Sequence, residues 1–272
     1  MQIEGSHVLL TGASGGLGRA IAKELARRGA HLTLTARNAE VLGQLADDTG
    51  GEVIVCDLDD RTQVASLFEH LDDTDVLIAN AGIGGGEDGL DTSTEEIDRV
   101  LDVNLRAPMV LTTEFARRHS SQRGPDGGAA ADADSEGLTR SAQVVLVGSL
   151  AGLVTSPTTS LYNATKFGLR GFSLAIRQDV EAHGVGVSLI APGFIRDEGM
   201  FADGGVDLPR FVRTKSPQDV ADAVVSAIVT NPPEVFVSPL ELRASAMLGA
   251  IAPGLSEAIQ RRLGVEEMTA DR

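Results

Sequence analysis

The sequence predicts an α/β chain folded as one open, doubly wound parallel sheet of about seven strands, with helices on both faces. Three observations carry this prediction. Short runs rich in Val, Leu and Ile alternate with helix-like segments, the pattern of parallel strands joined by crossover helices. The runs Val76-Leu77-Ile78-Ala79 and Val144-Val145-Leu146-Val147 are continuously apolar, as strands buried on both faces are. A glycine-rich segment, Thr11-Gly12-Ala13-Ser14-Gly15-Gly16-Leu17-Gly18, follows the first apolar run and leads into a helical pattern.

Taken in order, the expected strands are His7 to Thr11, His31 to Ala36, Glu52 to Cys56, Asp75 to Ala79, Gln143 to Gly148, Val185 to Ile190 and Val235 to Ser238. The first helix is expected from about Leu17. Residues 119–142 turn to Gly, Ala, Ser and Asp without an apolar period, and read as a solvated loop insertion. The Gly- and Pro-containing stretch from Arg196 to Lys215 is expected to form a substrate lid. Leu248, Ile251, Leu255, Ile259 and Leu263 recur at helical spacing in an apolar tail, residues 240–265, which Pro253-Gly254 should break or kink. The plain expectation is a tail packed on its own domain; partner or membrane contact also fits, and the amphipathic pattern alone does not select between them. Residues 1–272 form a single domain in this reading, because the length suits one large core better than two.

Composition excludes several functions. With no Trp, one Tyr, eight Phe and a net charge of −16, the chain is poorly suited to stack on bases or attract phosphate backbones, so no nucleic acid is expected. The same charge disfavours anionic membranes, and no apolar run of about 18 residues is present to span one. Cys56 is alone, which rules out an intrachain disulfide and fits a reducing compartment. Nothing at the N-terminus resembles a signal peptide. A cytoplasmic location without stable membrane insertion is expected, and no metal site.

The chemistry is concentrated in a few positions. Tyr162 stands four residues before Lys166 and follows Ser149. Residues i and i+4 share a helix face, so the Lys166 ammonium can stabilise a Tyr162 phenolate. A free phenol titrates at about 10, and acid-base work favours a value nearer the operating pH; the expectation is therefore a depressed Tyr162 pKa. The glycines Gly12, Gly16 and Gly18, with Ser14 and Leu17, lie where a turn and a helix N-terminus meet, suited to a pyrophosphate. Together these features suggest a nicotinamide-dependent oxidoreductase. After the second strand, Ala36-Arg37 offers space and a guanidinium for a 2′-phosphate where NAD-preferring folds tend to place an acid. NADP(H) is favoured and NAD(H) remains possible, since Arg37 also fits a solvated loop charge. Asp57 after the third strand suits an adenine amino group, Leu58 a backbone contact, and Asn80-Ala81-Gly82 after the fourth a close pass by ribose; each also fits ordinary turn chemistry.

The glycine loop, Asp57, Asn80-Ala81-Gly82, Asn104, Ser149, Tyr162-x-x-x-Lys166 and Pro192-Gly193 together resemble the short-chain dehydrogenase/reductase family, in order and spacing, from about residue 5 to 195. The resemblance implies a Rossmann-type domain that is a homodimer or higher homo-oligomer and moves hydride between NAD(P) and a carbonyl or alcohol carbon. It places the catalytic four on Asn104, Ser149, Tyr162 and Lys166. Tyr162 is then the general acid/base, Ser149 orients the substrate oxygen, Lys166 also donates to the nicotinamide ribose, and Asn104 holds a water linking Lys166 to solvent. Pro192, Gly193 and the Ile195 backbone are implied to meet the nicotinamide.

Two departures stand out. Many members have Thr where this chain has Asp197, and many end soon after the last strand with an Asp-Gly-Gly segment where this chain continues into its tail. Dimerisation through helices near residues 95–118 and 160–182 is the expectation. Apolar Leu150, Leu153, Val154 and Phe194 hint at a lipophilic substrate. The alternative function is an NADP(H)-binding sensor of the same fold with little turnover; dehydration or epimerisation would need a substrate domain that the length does not provide.

Overall fold

The computed structural model describes residues 1–85, 91–121, 141–196 and 213–262. In chain order the elements are β1 (His7–Thr11), α1 (Gly16–Arg27), β2 (His31–Ala36), α2 (Ala39–Thr49), β3 (Glu52–Val55), α3 (Arg61–Ser66), β4 (Val76–Ala79), α4 (Thr94–Leu101), α5 (Ala107–Ser121), β5 (Ala142–Val147), α6 (Ser160–Val180), β6 (Val185–Pro192), α7 (Pro217–Thr230), β7 (Glu234–Val237), α8 (Leu240–Ile251) and α9 (Pro253–Arg262). A π-helical turn, Asp102–Arg106, joins α4 to α5. The strands form one seven-stranded sheet in the order β3-β2-β1-β4-β5-β6-β7, and every neighbouring pair is parallel. The Rossmann-type doubly wound α/β prediction is the observed fold.

The alternation of side chains along β1 assembles the two layers. Val8 and Leu10 enter a core with Ile21 and Leu25 of α1, Leu42 of α2 and Val224 of α7. Leu9 points the other way, into a core with Leu111 and Phe115 of α5 and Leu169 of α6. Side chains one residue apart in a strand face opposite sides, so a continuously apolar strand feeds both layers. Each fully buried Leu or Phe contributes roughly 1.5–3 kcal/mol relative to exposure.

Side-chain caps start four of the helices. Asn38 accepts from Val41 N, Asp60 from Thr62 and Gln63 N, and Ser93 from Glu96 N. Ser216 and Asp219 form a reciprocal capping box with Pro217 in the first turn of α7. Helix α1 differs: its N-cap is Gly15, no side chain caps it, and its first turn carries no acid.

Most strand predictions hold within one residue, but β6 runs two residues further, to Pro192. Helix α1 begins at Gly16, one residue before the expected start. Helix α5 continues to Ser121, so His119 belongs to the fold and not to a loop. Its ring is buried, lies 4.1 Å from the Phe115 ring, and its Nδ1 is 2.9 Å from the Phe115 carbonyl. Residues 122–140 of the expected insertion lie outside the described residues.

The tail corrects an expectation. Its helix does break at Ala252, before Pro253, but the stripe chosen from the sequence is not the packed one. Leu248, Ile251 and Leu255 are exposed, Ile251 at 83%. Ala246 is buried with Leu150 and Leu153, and Leu242 packs against the same cluster; a Cβ on Gly249 would come within 2.7 Å of Val154 Cγ2. Helix α8 is apolar around much of its circumference, so periodicity alone did not identify its inner face. The Ile259 side chain and Leu263 are outside the described residues. None of the described helices is long and apolar enough to cross a membrane.

Candidate active site

The strand order reverses direction at β1, whose neighbours are β2 and β4, and crevices of such sheets open at the carboxyl ends of the strands there. Thr11 and Ala79 are in register at those ends. The glycine loop and Asn80-Ala81-Gly82 therefore leave the sheet side by side. Gly12 has φ +65, and a Cβ on it would stand 2.6 Å from Ala81 Cα. A Cβ on Gly18 would lie 2.2 Å from the Gly12 carbonyl oxygen, so the first turn of α1 packs on the loop backbone. The Thr11 hydroxyl accepts from Asn80 N at 3.1 Å and Ala81 N at 3.2 Å. In return, Asn80 Nδ2 donates to the Thr11 and Gly12 carbonyls at 3.1 Å each. Asn80 thus shapes the glycine loop through its amide.

Arg19 Nη1 donates to the Ser14 carbonyl at 2.9 Å, holding the loop just before Gly16 and Leu17 enter the first turn. Because α1 lacks both a side-chain cap and an acid there, its first N–H groups and positive end are left for an anion. At the same edge, Arg37 is exposed one residue past β2, and no hydrogen bond or ion pair engages it among the described residues. Past β3, Asp57 is half-buried; its Oδ1 accepts from Asp59 N at 3.1 Å and its own N–H donates to Gln63. Leu58 is buried in the core. A dinucleotide phosphate fits the narrow glycine turn, the open helix end and the exposed guanidinium. Among the described residues, no group of three or more His, Cys, Asp or Glu is arranged to hold a metal.

Two elements bring Ser149, Tyr162 and Lys166 together. Ser149 follows β5 and caps the 3₁₀ turn Leu150–Gly152, with its Oγ accepting from Ala151 N at 3.1 Å. Tyr162 and Lys166 lie in the first two turns of α6. A Cβ on Gly152 would meet the Lys166 carbonyl oxygen at 2.7 Å, so the turn after Ser149 rests directly on the α6 backbone. The Lys166 amine is buried, donates to the Val147 carbonyl at 3.0 Å and lies 5.6 Å from the centre of the Tyr162 ring. Burial lowers its pKa to about 8.

The Tyr162 phenol corrects the expected electrostatics. Its pKa is raised from the ordinary value, because burial penalises the phenolate; the Ser149 hydroxyl beside it partly opposes that shift. A buried ammonium committed to a backbone carbonyl does not reverse the effect of desolvation here.

Asn104 lies in the π-helical turn and is buried. It pairs with one peptide in both directions, accepting from Ile83 N at 2.7 Å and donating to Ile83 O at 2.8 Å; Nδ2 also lies 3.3 Å from Thr165 Oγ1. Its amide therefore pins the chain after β4 to α6, and the expected water-holding role falls outside these direct bonds. A Cβ on Gly82 would stand 3.5 Å from Lys166 Nζ and 3.6 Å from Asn104 Oδ1, which brings Gly82, Asn104 and Lys166 to one place.

Pro192 closes β6, and Gly193 N donates to the Val237 carbonyl at 3.0 Å. Ile195 bridges Lys215, but the bonds run from Arg196 N to the Lys215 carbonyl and from Lys215 N to the Phe194 carbonyl. The peptide groups of Ile195 are not used by this bridge. Leu150 and Leu153 are buried against Ala246, so they form a packed cluster and not the exposed lining expected of a lipophilic pocket. Asp197 and residues 197–212 of the expected lid lie outside the described residues.

Sequence reasoning missed the Thr11 hydroxyl, the π turn that carries Asn104, and Asn163. A polar residue at the end of a buried strand was a usable signal for Thr11. Asn163 had none, because its Nδ2 meets backbone carbonyls 9 and 12 residues back along the chain.

Residues 6–203 match the family described as short chain dehydrogenase. Among curated proteins, the ketoacyl reductase HetN of a Nostoc species is 32% identical over 284 residues, covering 99% of this chain and 93% of the relative. The 3-oxoacyl-[acyl-carrier-protein] reductase FabG of Rickettsia bellii is 28% identical, covering 73% of this chain and 76% of its own length. Among solved structures, a short-chain dehydrogenase from Sphingobium yanoikuyae in complex with NADPH superposes with a TM-score of 0.72 at 25% identity, covering 92% of this chain and 95% of that one. A metagenomic short-chain oxidoreductase in complex with NADP gives 0.69 at 27% identity, covering 88% and 99%.

Proposed function

Because this chain belongs to the short-chain dehydrogenase/reductase family, we propose that it is an NADP(H)-dependent enzyme interconverting a carbonyl and an alcohol. The observation that carries the reading is the grouping of Ser149, Tyr162 and Lys166 around the start of α6, at the strand ends that also carry the glycine loop. Bound NADPH would supply the hydride.

The protein's own part in the reduction is to hold the substrate oxygen and deliver a proton to it. With its pKa raised, Tyr162 is protonated at neutral pH and acts as an acid, so negative charge does not accumulate on the carbonyl oxygen. Ser149 donates to the same oxygen and orients it. Lys166 keeps the site positive; beyond its bond to Val147, its ammonium has protons for the nicotinamide ribose hydroxyls. Asn104 fixes the chain beside Lys166. Gly12, Ser14, Gly16, Leu17 and Gly18 receive the pyrophosphate, and Arg37 the 2′-phosphate that favours NADP(H) over NAD(H). Asp57, Leu58, Asn80, Ala81 and Gly82 border the adenosine, and Pro192, Gly193 and Ile195 the nicotinamide.

We further propose that residues 1–272 act as one domain. Association with a second copy through α4, α5 and α6 is supported by Ile97 and Phe167, both large, apolar and exposed on those helices.

The test is loss of NADPH absorbance with aldehydes, ketones and 3-oxoacyl thioesters, the last first in view of the ketoacyl reductase relatives. Tyr162→Phe should lower turnover at least about 100-fold while NADPH still binds. Undiminished turnover in that variant would refute the assignment, and tight NADPH binding with no turnover across the panel would favour a cofactor sensor.

A further inference from the structure

Beside Tyr162 sits a buried side chain with a different set of partners. Asn163 is 4% exposed, and its amide reaches back into the loop between Ser149 and α6. Its Nδ2 donates to the Ala151 carbonyl at 2.8 Å and to the Val154 carbonyl at 3.0 Å. Its Oδ1 accepts from the Thr159 hydroxyl at 2.6 Å and faces Ser156 N at 3.4 Å. One side chain thus holds residues 151–159 at four points. The loop needs holding: Thr158, a β-branched residue, has φ +60, a left-handed conformation that such side chains rarely adopt unless the surroundings impose it.

The first of these bonds leads to the reacting groups. Ala151 gives its carbonyl to Asn163 and its N–H to Ser149 Oγ at 3.1 Å. The Ser149 hydroxyl lies beside the Tyr162 phenol, and Tyr162 is the residue before Asn163. The path from Asn163 through Ala151 and Ser149 to Tyr162 closes on itself. We propose that Asn163 is a positioning residue: by fixing the Ala151 peptide it sets the Ser149 hydroxyl against the Tyr162 phenol. This rests on the proposed roles of Ser149 and Tyr162. Asn163 touches neither of their hydroxyls directly, and the effect proposed for it runs through Ser149.

Non-additivity is the measurable consequence, since residues acting through one another do not contribute independently. The experiment compares wild type, Asn163→Ala, Ser149→Ala and the double variant as full-length protein, with NADPH and an acetoacetyl thioester, or whichever panel carbonyl turns over best. In the wild-type background Asn163→Ala should lower kcat about 10- to 100-fold, with the NADPH dissociation constant changed less than about threefold. In the Ser149→Ala background it should lower kcat less than about threefold further. Equal fold losses in both backgrounds, an unchanged kcat in Asn163→Ala, or a matching loss of NADPH affinity would each overturn the inference. If Asn163→Ala does not fold, the isosteric Asn163→Asp takes its place, since it removes both donors to the loop at constant volume. Undiminished kcat in Ser149→Ala would instead sink the proposed function, which keeps the two failures distinct.

Discussion

Lys166 donates a hydrogen bond to the Val147 carbonyl at 3.0 Å while its ammonium lies 5.6 Å from the centre of the Tyr162 ring. The bond ties the second turn of α6 to the end of β5 and leaves a charge buried in the site. That burial carries a thermodynamic signature.

With its pKa lowered to about 8 from 10.5, Lys166 releases its proton in the folded protein while the unfolded chain still holds one. Stability therefore rises with pH between those two values, where the unfolded state binds more protons, and the burial penalty is in full force below about pH 8. It is of the order of 3 kcal/mol. Lys166→Met should lose turnover yet unfold at no lower urea concentration at pH 7, and should lack the rise in stability between about pH 8 and 9.5. Wild-type-like pH dependence in this variant would contradict the burial argument.

Tyr162 is the only tyrosine and Trp is absent, so phenolate absorbance reports one group. Burial raises its pKa and Ser149 partly offsets the rise. The titration midpoint should lie above about 10 and move higher in Ser149→Ala. Because the folded pKa is raised, the stability it contributes is fully present below the unfolded value and lost as pH climbs through the folded one. A midpoint below 10 in the protein alone would restore the original expectation that Lys166 depresses the phenol.

Arg37 is exposed and without a described partner, so replacing it should disturb little except a ligand. Arg37→Ala is expected to weaken NADPH about 10- to 100-fold and leave NADH nearly unchanged, read by fluorescence titration of both. Equal weakening would make the residue a support of its loop.

Gly18→Ala should destabilise the protein by about 1–3 kcal/mol and reduce NADPH affinity, since the added carbon meets backbone that has no free space to yield. Gly43→Ala, inside α2 where an added Cβ meets nothing within 4 Å, should stabilise by about 0.5–1 kcal/mol. Urea unfolding of the pair separates backbone crowding from any general effect of losing a glycine.

Much of the site was legible because its chemistry is carried by local patterns. Tyr162 and Lys166 share a face by helical spacing, and the glycine loop declares itself by following a strand. The residues that hold the site were not legible. Asn163, Thr11 and the Asn104 amide act on backbone groups 9 or 12, 69 or 70, and 21 residues away, and a backbone N–H or carbonyl has no signature in the sequence. The tail failed for a related reason: with apolar residues around much of α8, only the position of Leu150 and Val154 decides that Leu242, Ala246 and Gly249 face inward.

The sequence by itself determined the strands, their parallel winding, the family and the side chains proposed to react, because each follows from apolar periodicity or from spacing along one element. Tertiary structure alone decided the protonation energetics of Tyr162 and Lys166, the inner face of α8 and the clamp on the Ser149 loop. Desolvation and long-range hydrogen bonds depend on which groups meet in space, and that depends on the packing of the whole sheet and its helices.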